Sequence, residues 1–155
     1  MTTTNYQLDI VIERSVEEVF PFFCDLRNHV HLHPLLTKVK ITDTFENKVG
    51  QAVTTFKLEE KIKVMGGLSM PNTYVAHRIL SEDKNTCTFS VKTFPNVDLS
   101  SSYIFLEVGN QCTKIEEKVN IQAPWGLSGF VTKTAKNAHI TLLKKLKQYL
   151  ETQKN

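Results

Sequence analysis

The sequence has little of what marks many protein classes. Its three cysteines, Cys24, Cys87 and Cys112, are far apart and form no C-x-x-C pair, which is typical of free thiols in a reducing compartment. The first residues carry neither the basic nor the apolar region of a signal peptide, and no apolar run approaches the length of a membrane span. We therefore expect a cytoplasmic protein.

A strong excess of charge of one sign is also missing. The formal net charge is only +3, and the aromatic residues lie in alternating strand patterns and not among the lysines, so we expect no nucleic-acid partner. The sequence contains no phosphate-binding glycine loop, nucleophile elbow or Ser/His/Asp set. A chain of 155 residues, 41% of them hydrophobic, is predicted to form one domain over residues 1–155.

The longest regular pattern runs from Pro124 to about Glu151. Apolar residues recur there at spacings of three and four, which predicts an amphipathic helix. They are Leu127, Val131, Ala135, Ala138, Leu142, Leu146 and Tyr149. The middle of this face offers only Thr134, Ala135 and Ala138, so the helix is predicted to leave unfilled space opposite a concave surface. A closer approach of the helix, with no void, is the alternative.

Two short helices and a run of strands are predicted before this helix. Ser15 and Glu18 form a capping-box pattern, and Pro21 is expected to break the first helix before a second helical turn through Asp25 to His31. Alternation with period two predicts strands that are antiparallel because their connections are short. The strands are predicted near residues 6–12, 37–45, 52–62, 73–80, 86–94, 99–108 and 111–121. The fold class is α+β, an antiparallel sheet of about seven strands that curls around the long helix.

The hairpin at Gly109-Asn110 leaves two registers open. A two-residue loop would place Ser102 on the same face as Glu117, whereas a three-residue loop with a residue in the left-handed region would place Tyr103 and Phe105 there. We favour the three-residue loop because it assembles one apolar face.

This order of elements resembles the START-like helix-grip superfamily, also called SRPBCC, and within it the polyketide cyclase/dehydrase-like branch. The resemblance lies in the segment from Ile10 to Phe20, in Asp25-Leu26-Arg27-Asn28 with His33-Pro34 after it, and in Pro124-Trp125-Gly126 before the helix. It implies a deep apolar cavity between the curved sheet and the helix that holds a lipid, sterol, polyketide, carotenoid or similar molecule. No cofactor is expected.

The side chains expected to bind such a ligand lie on the inner strands, in two connections and on the helix. They are Phe56, Leu58, Met65, Leu68, Met70, Phe89, Val91, Phe94, Tyr103, Phe105, Glu117, Trp125, Phe130, Val131, Thr134, Ala135, Ala138 and Leu142. The connection from Met65 to Pro71 combines two glycines with adaptable apolar side chains. We expect it to act with Phe94-Pro95-Asn96-Val97 as a gate over the cavity mouth.

Several polar residues are candidates for contact with the ligand. Glu117 is predicted to point inward toward the ligand, because a buried carboxylate needs a partner or cavity water. The alternatives are a solvated Glu117 at the end of the sheet and a salt bridge with Arg78 or Lys92. Three further residues could orient the ligand through polar contacts, namely Tyr74, Tyr103 and His77. Only Tyr103 can be assigned to the inner face from the sequence.

The pattern His29, His31 and His33 raises the question of a metal site. The three would share one face of an extended segment, but no Cys, Asp or Glu accompanies them at ligand spacing, so we expect no metal and interpret them as surface or cavity-rim residues.

We therefore predict a carrier, store or sensor of a hydrophobic small molecule that does no chemistry of its own. One alternative is a polyketide cyclase/dehydratase-like enzyme, which would require two or more titratable groups that converge in the cavity. The other is a protein-interaction module of the chaperone-regulator kind. Lysines on the long helix would also allow transient contact with an anionic membrane, although a solvated face is the simpler interpretation. The sequence leaves the oligomeric state open.

Overall fold

The computed structural model describes residues 1–153. The strands are β1 (Thr2–Ile12), β2 (Leu36–Glu46), β3 (Ala52–Lys63), β4 (Ser69–Leu80), β5 (Thr86–Thr93), β6 (Val97–Glu107) and β7 (Thr113–Ala123). The helices are α1 (Val16–Cys24) and α2 (Ser128–Thr152), with short 3-10 helices at Leu26–His29 and Met65–Gly67.

The seven strands form one antiparallel sheet in the order β1-β7-β6-β5-β4-β3-β2. Each strand from β2 to β7 pairs with its neighbour in sequence, as short connections require. β1 pairs along its whole length with β7, so the first and the last strand lie side by side at one edge of the sheet. The predicted α+β architecture is therefore confirmed.

The first helix begins at the predicted place but differs in detail. Ser15 occupies the N-cap position without a side-chain capping bond, and Glu18 lies 3.6 Å from Arg14, so the predicted capping box is wrong. Pro21 is exposed and lies inside an unbroken helix of nine residues. The missing hydrogen bond is tolerated because buried side chains on both sides, Phe20 and Phe23 among them, hold the helix against the core.

The last hairpin, between β6 and β7, has the register that was favoured from the sequence, with a three-residue loop. Val108 N–H donates to the carbonyl of Cys112 and closes a three-residue loop, in which Gln111 has a φ of 59°. Tyr103 consequently pairs with Glu117, and both point to the interior. The inner face decides the register, because a shift of one residue would bury serines in place of aromatic rings.

The long helix α2 crosses the concave face of the sheet, and its C-terminal half carries most of the helix's buried contacts. The buried side chains are Ala138, Leu142, Leu143, Leu146 and Leu150. Tyr149, which the sequence placed on this face, is 42% exposed and stacks on Phe22 at the margin. No helix within residues 1–153 is long and apolar enough to cross a membrane.

The interior is filled mainly at the end of the sheet where α1 packs. Phe23 has no exposed surface, and its ring lies 4.6 Å from the ring of Tyr103 and 5.6 Å from that of Phe105, measured between centroids. Phe20 adds an edge-to-face contact with Phe105. These aromatic side chains fill one half of the space between sheet and helix.

Replacement of Phe23 by alanine tests whether the interior is densely packed at the end where α1 lies. We expect Phe23→Ala to lower the free energy of unfolding by about 3–5 kcal/mol, because the removed ring leaves a cavity among rigid neighbours. Chemical denaturation measures the change. Phe45→Ala is the matched control, since Phe45 is 44% exposed on the outer face, and it should change the same quantity by less than about 1 kcal/mol. Equal losses would contradict the described core.

Candidate functional site

A cavity of about 180 Å³ lies between the sheet and the N-terminal half of α2. A single water molecule needs only ~10–15 Å³, so this is a true void. The helix contributes Thr134 and Ala135 to its wall, so unfilled space lies at two of the three short residues where it was predicted, and not at Ala138. Phe94 and Phe130 line the cavity and are also 80% and 51% exposed, so they mark its mouth.

Most of the cavity wall is apolar. Side chains of β3, β4, β5, β6 and α2 all contribute, because the sheet curves around the helix. The apolar lining residues are Leu26, Leu35, Leu36, Leu58, Ile62, Ala76, Phe89, Val91, Phe94, Val97, Leu99, Phe130, Val131, Ala135 and Leu142. A mostly apolar wall with a few polar groups is typical of sites for hydrophobic small molecules.

The first polar group in the wall is the pair of Glu117 and His139. Glu117 is 1% exposed and lies on β7 directly behind the cavity. Its Oε1 is hydrogen-bonded to Nδ1 of His139, which itself lines the cavity. A carboxylate only accepts hydrogen bonds, so the proton of this contact is carried by Nδ1 when Glu117 is ionised. The Nε2 atom has no hydrogen bond to any residue in the range 1–153 and is left for a ligand.

Two tyrosines complete this pair. The Tyr103 hydroxyl donates to Glu117 Oε1 at 2.8 Å, and the Tyr6 hydroxyl lies 3.2 Å from His139 Nδ1. Burial, together with the nearby charge of Glu117, raises the pKa of both phenols. Both tyrosines therefore stay protonated at neutral pH. Only Tyr103 donates to this pair, because Nδ1 of His139 carries its own proton and cannot accept from the Tyr6 hydroxyl.

A second polar cluster lies on β3, β4 and β5. The Tyr74 hydroxyl donates to Glu60 Oε2 at 3.1 Å, and Asn72 donates to Glu60 Oε1 at 3.2 Å and to Thr93 at 3.0 Å. Burial raises the pKa of the Glu60 carboxyl, while the hydrogen bonds from Asn72 and Tyr74 oppose that shift. All four residues line the cavity.

The three clustered histidines separate in the structure. The chain forms a 3-10 helix and a turn here, not an extended segment, so His29 and His33 line the cavity while His31 is exposed. His29 is hydrogen-bonded to the Phe23 carbonyl at 2.7 Å. Within residues 1–153, no three His, Cys, Asp or Glu side chains lie close enough together to hold a metal ion.

The predicted binding residues divide into two groups. The cavity wall contains Leu58, Phe89, Val91, Phe94, Tyr103, Phe130, Val131, Thr134, Ala135 and Leu142. The wall does not include Phe56, Met65, Leu68, Met70, Phe105, Glu117, Trp125 and Ala138. Phe56 and Phe105 belong to the filled half of the core, Glu117 lies behind the wall, and Ala138 is 4% exposed against its neighbours.

The remaining four residues lie outside the cavity wall, although Met70 is paired with Ile62 on the inner face of the sheet. Met65, Leu68 and Trp125 are 94%, 68% and 88% exposed, and Met70 is 45% exposed. β3 and β4 stay paired up to Lys63 and Ser69, so the first expected gate segment is the hairpin connection beyond that pair, and none of its side chains lines the cavity. Of the two predicted gate segments, Phe94-Pro95-Asn96-Val97 alone contributes side chains to the wall.

Other predictions about polar residues also need correction. Arg78 donates to the Cys24 carbonyl and to Thr54, and neither it nor Lys92 forms a salt bridge with Glu117. His77 lies on the outer face, with its Nδ1 3.0 Å from the Thr55 hydroxyl, so it is no anchor.

Sequence reasoning missed two central residues, and both had a signal. His139 follows Ala135 by four positions and therefore lies on the same side of the helix. Glu60 stands between Leu58 and Ile62 in one series of alternating inward residues.

Comparison with known proteins supports the fold and not a specific role. No protein-family model and no curated protein matches this sequence. Solved structures match over almost the whole chain. The ZhuI aromatase/cyclase of a Streptomyces species is 13% identical with a TM-score of 0.76, over 97% of this chain and 94% of its own.

Two further structures match over similar lengths. A START superfamily protein of Mycobacterium smegmatis is 11% identical with a TM-score of 0.72, over 95% of this chain and 97% of its own. Truncated norcoclaurine synthase of Thalictrum flavum is also 11% identical, with a TM-score of 0.69, over 99% of this chain and 96% of its own. The chain thus has the START-like helix-grip fold that the sequence resemblance implied.

The cavity histidines predict a specific dependence of stability on pH. Burial lowers the pKa of His29 to about 4 and that of His33 to about 3. Between these values and the unfolded value of about 6.5, only the unfolded chain takes up these protons. The free energy of unfolding should therefore fall as the pH decreases from about 6.5 to about 4, by on the order of 3 kcal/mol per histidine.

Urea denaturation at several pH values measures this loss. His33→Gln should show a smaller decrease than the parent protein, because glutamine takes up no proton. His77→Gln is the control, since His77 is exposed on the outer face, and it should keep the parent's decrease. A decrease in His33→Gln as large as the parent's would refute the assignment.

Proposed function

We propose that the protein binds an uncharged hydrophobic small molecule in the cavity between the sheet and α2. The observation that carries this proposal is the combination of a void, a mostly apolar wall and two polar clusters, one centred on His139 and the other on Glu60. An apolar body would fill the void and its polar groups would meet these clusters. The START-like fold, for which the sequence resemblance implies such a cavity, is consistent with this function.

The charge of the wall defines the class of ligand. None of the wall residues that the structure describes is a lysine or arginine, whereas Glu60 lies in the wall and Glu117 behind it. The lowered pKa values of His29 and His33 keep both imidazoles neutral at physiological pH. A carboxylate or phosphate on the ligand would be buried without a cation, which is unfavourable. The site therefore suits hydroxyl, phenol or carbonyl groups.

The mouth limits the size of the ligand. Phe94 on the β5–β6 turn and Phe130 on the first turns of α2 both line the cavity and face solvent. A molecule larger than the void would need these two rings to move apart. Because both are already largely exposed, such a movement would disturb few buried contacts. The protein would then act as a carrier, store or sensor.

A specific observation favours acid–base catalysis as a second candidate function. Several titratable groups converge on the cavity, namely Glu60, His33 and the pair of Glu117 and His139. In that pair the carboxylate orients the imidazole, which leaves Nε2 to take a proton from a bound substrate. The protonated imidazole could then give that proton to a departing hydroxyl group, as a dehydration or cyclisation requires.

Filling the void tests the binding function. We expect Ala135→Phe to abolish binding of a panel of hydrophobic phenols and sterols, because the new ring occupies the cavity. The free energy of unfolding should change by less than about 1.5 kcal/mol, since the ring enters empty space. Native mass spectrometry measures binding and chemical denaturation measures stability.

Two variants of the same helix serve as controls. Asn137→Phe adds the same ring on the exposed side and should leave binding intact. Ala138→Leu should instead lower stability by about 1–3 kcal/mol, because Ala138 is already packed. If the parent protein binds nothing in the panel, or if Ala135→Phe binds as well as the parent, the binding function is refuted.

Replacement of His139 tests the second candidate. A compound of the panel that is dehydrated or cyclised by the parent protein should still bind His139→Gln, but its turnover should be at least about 100-fold slower without the imidazole base. Mass spectrometry of the product measures turnover, and His77→Gln is the control with the same change outside the cavity. Parent-like turnover in His139→Gln would exclude this imidazole as the base.

A further inference from the structure

The end of the molecule that contains the cavity mouth carries an unusual number of exposed apolar side chains. We call them the apolar rim, and they are Met65, Leu68, Phe94, Trp125, Leu127 and Phe130. Met65, Trp125 and Phe94 have the largest exposed fractions of all large hydrophobic residues in the described chain, at 94%, 88% and 80%. Exposed apolar side chains that cluster in this way mark an interaction surface.

Strand pairing places the rim residues at one end of the sheet. The β3–β4 turn follows the pair Lys63 and Ser69, the β5–β6 turn follows Thr93 and Val97, and β7 ends at Ala123 just before α2. β3, β5 and β7 run in the same direction, so these three connections lie at the same end of the sheet. The rim therefore surrounds the mouth that Phe94 and Phe130 mark.

The charges around the rim have one sign. Residues 61–71, 93–97 and 122–133 contain no aspartate or glutamate, but they contain the exposed lysines Lys61, Lys63 and Lys133. Glu60, which borders the first of these ranges, points into the cavity, where Tyr74 and Asn72 hold it. Asp98 borders the second range and lies one position before Leu99, which lines the cavity. The turns at the opposite end of the sheet carry both signs, with Glu46 and Lys48 in the first, Glu82, Asp83 and Lys84 in the second, and Glu107 beside the third.

We propose that the apolar rim docks on a lipid bilayer that contains anionic lipids, with the cavity mouth against the membrane. Aromatic side chains such as Trp125 and Phe94 are favoured at the boundary between headgroups and hydrocarbon. The three lysines would meet anionic headgroups, which attract basic side chains close to the bilayer surface. A second copy of this chain fits the rim less well, because an interface between two rims would bring lysines of like charge together.

Docking in this orientation has a consequence for the cavity. A hydrophobic ligand could pass between bilayer and void without crossing water, and Phe94 and Phe130 would leave water for lipid when they move apart. The proposal does not depend on which ligand the cavity takes, since the rim would bind the bilayer with the cavity empty or filled.

The only tryptophan of the chain, Trp125, allows a direct measurement. Titration with vesicles of phosphatidylcholine that contain phosphatidylserine should shift its fluorescence emission to shorter wavelength and carry the protein into the vesicle pellet. Pure phosphatidylcholine should bind at least about tenfold more weakly, and about 0.5 M salt should have a similar effect on the mixed vesicles.

Variants locate the docking surface. Leu68→Asp and the double variant Lys61→Glu/Lys63→Glu should each weaken vesicle binding at least about tenfold, because each brings negative charge to the headgroups. Both change exposed residues, so the melting temperature should stay unchanged. Val49→Asp is the matched control, since Val49 is 77% exposed on the β2–β3 turn at the opposite end, and it should bind as the parent does.

Three outcomes would overturn the proposal. The first is the absence of both pellet and spectral shift with mixed vesicles, and the second is equal weakening in Val49→Asp. The third is a parent protein that is dimeric in size-exclusion chromatography and becomes monomeric in Leu68→Asp, without vesicle binding in either form. That result would assign the rim to a second copy of the chain.

Discussion

The structure depends on how one helix fills the concave face of one sheet. The C-terminal half of α2 presents leucines, which pack with the aromatic side chains of α1 into a dense core. The N-terminal half presents Thr134 and Ala135 to the cavity, and these short side chains leave part of the space below them unfilled, although Ala135 also packs against residues of β1 and β7. Because protein interiors are otherwise close-packed, the void at this half is a consequence of side-chain size along a single face. The cavity, its mouth and its polar clusters all follow from that difference.

Much of the fold was predictable because burial leaves few choices. The register of β6 against β7 follows from the need to assemble Tyr103, Phe105 and Ile115 on one face, and the small residues of α2 indicated where space would remain. Details of helix entry were less predictable. The capping box at Ser15 and the break at Pro21 are local preferences, and the burial of Phe20 and Phe23 outweighs them.

The polar side of the site was harder to read from the sequence. Glu117 could be placed inside by alternation, but its partners Tyr103 and His139 lie 14 and 22 positions away, and only the docking of α2 on the sheet brings them together. The exposed position of Met65 and Leu68 depends on where a hairpin ends relative to the cavity. Periodicity along the chain does not contain that information, so apolar residues in a turn were assigned to the wrong surface.

The pairing of β1 with β7 and the docking of α2 on β1 also determine when the cavity can exist. The Tyr6 hydroxyl meets His139 across 133 positions, and most of the cavity wall comes from strands between these two residues. Contacts this far apart in sequence form slowly and late. During synthesis, the sheet has an open edge and an uncovered apolar face until the residues of α2 have emerged. The cavity is therefore enclosed only after nearly all of the described chain has been made, and until then the nascent protein exposes the future cavity wall to other hydrophobic molecules.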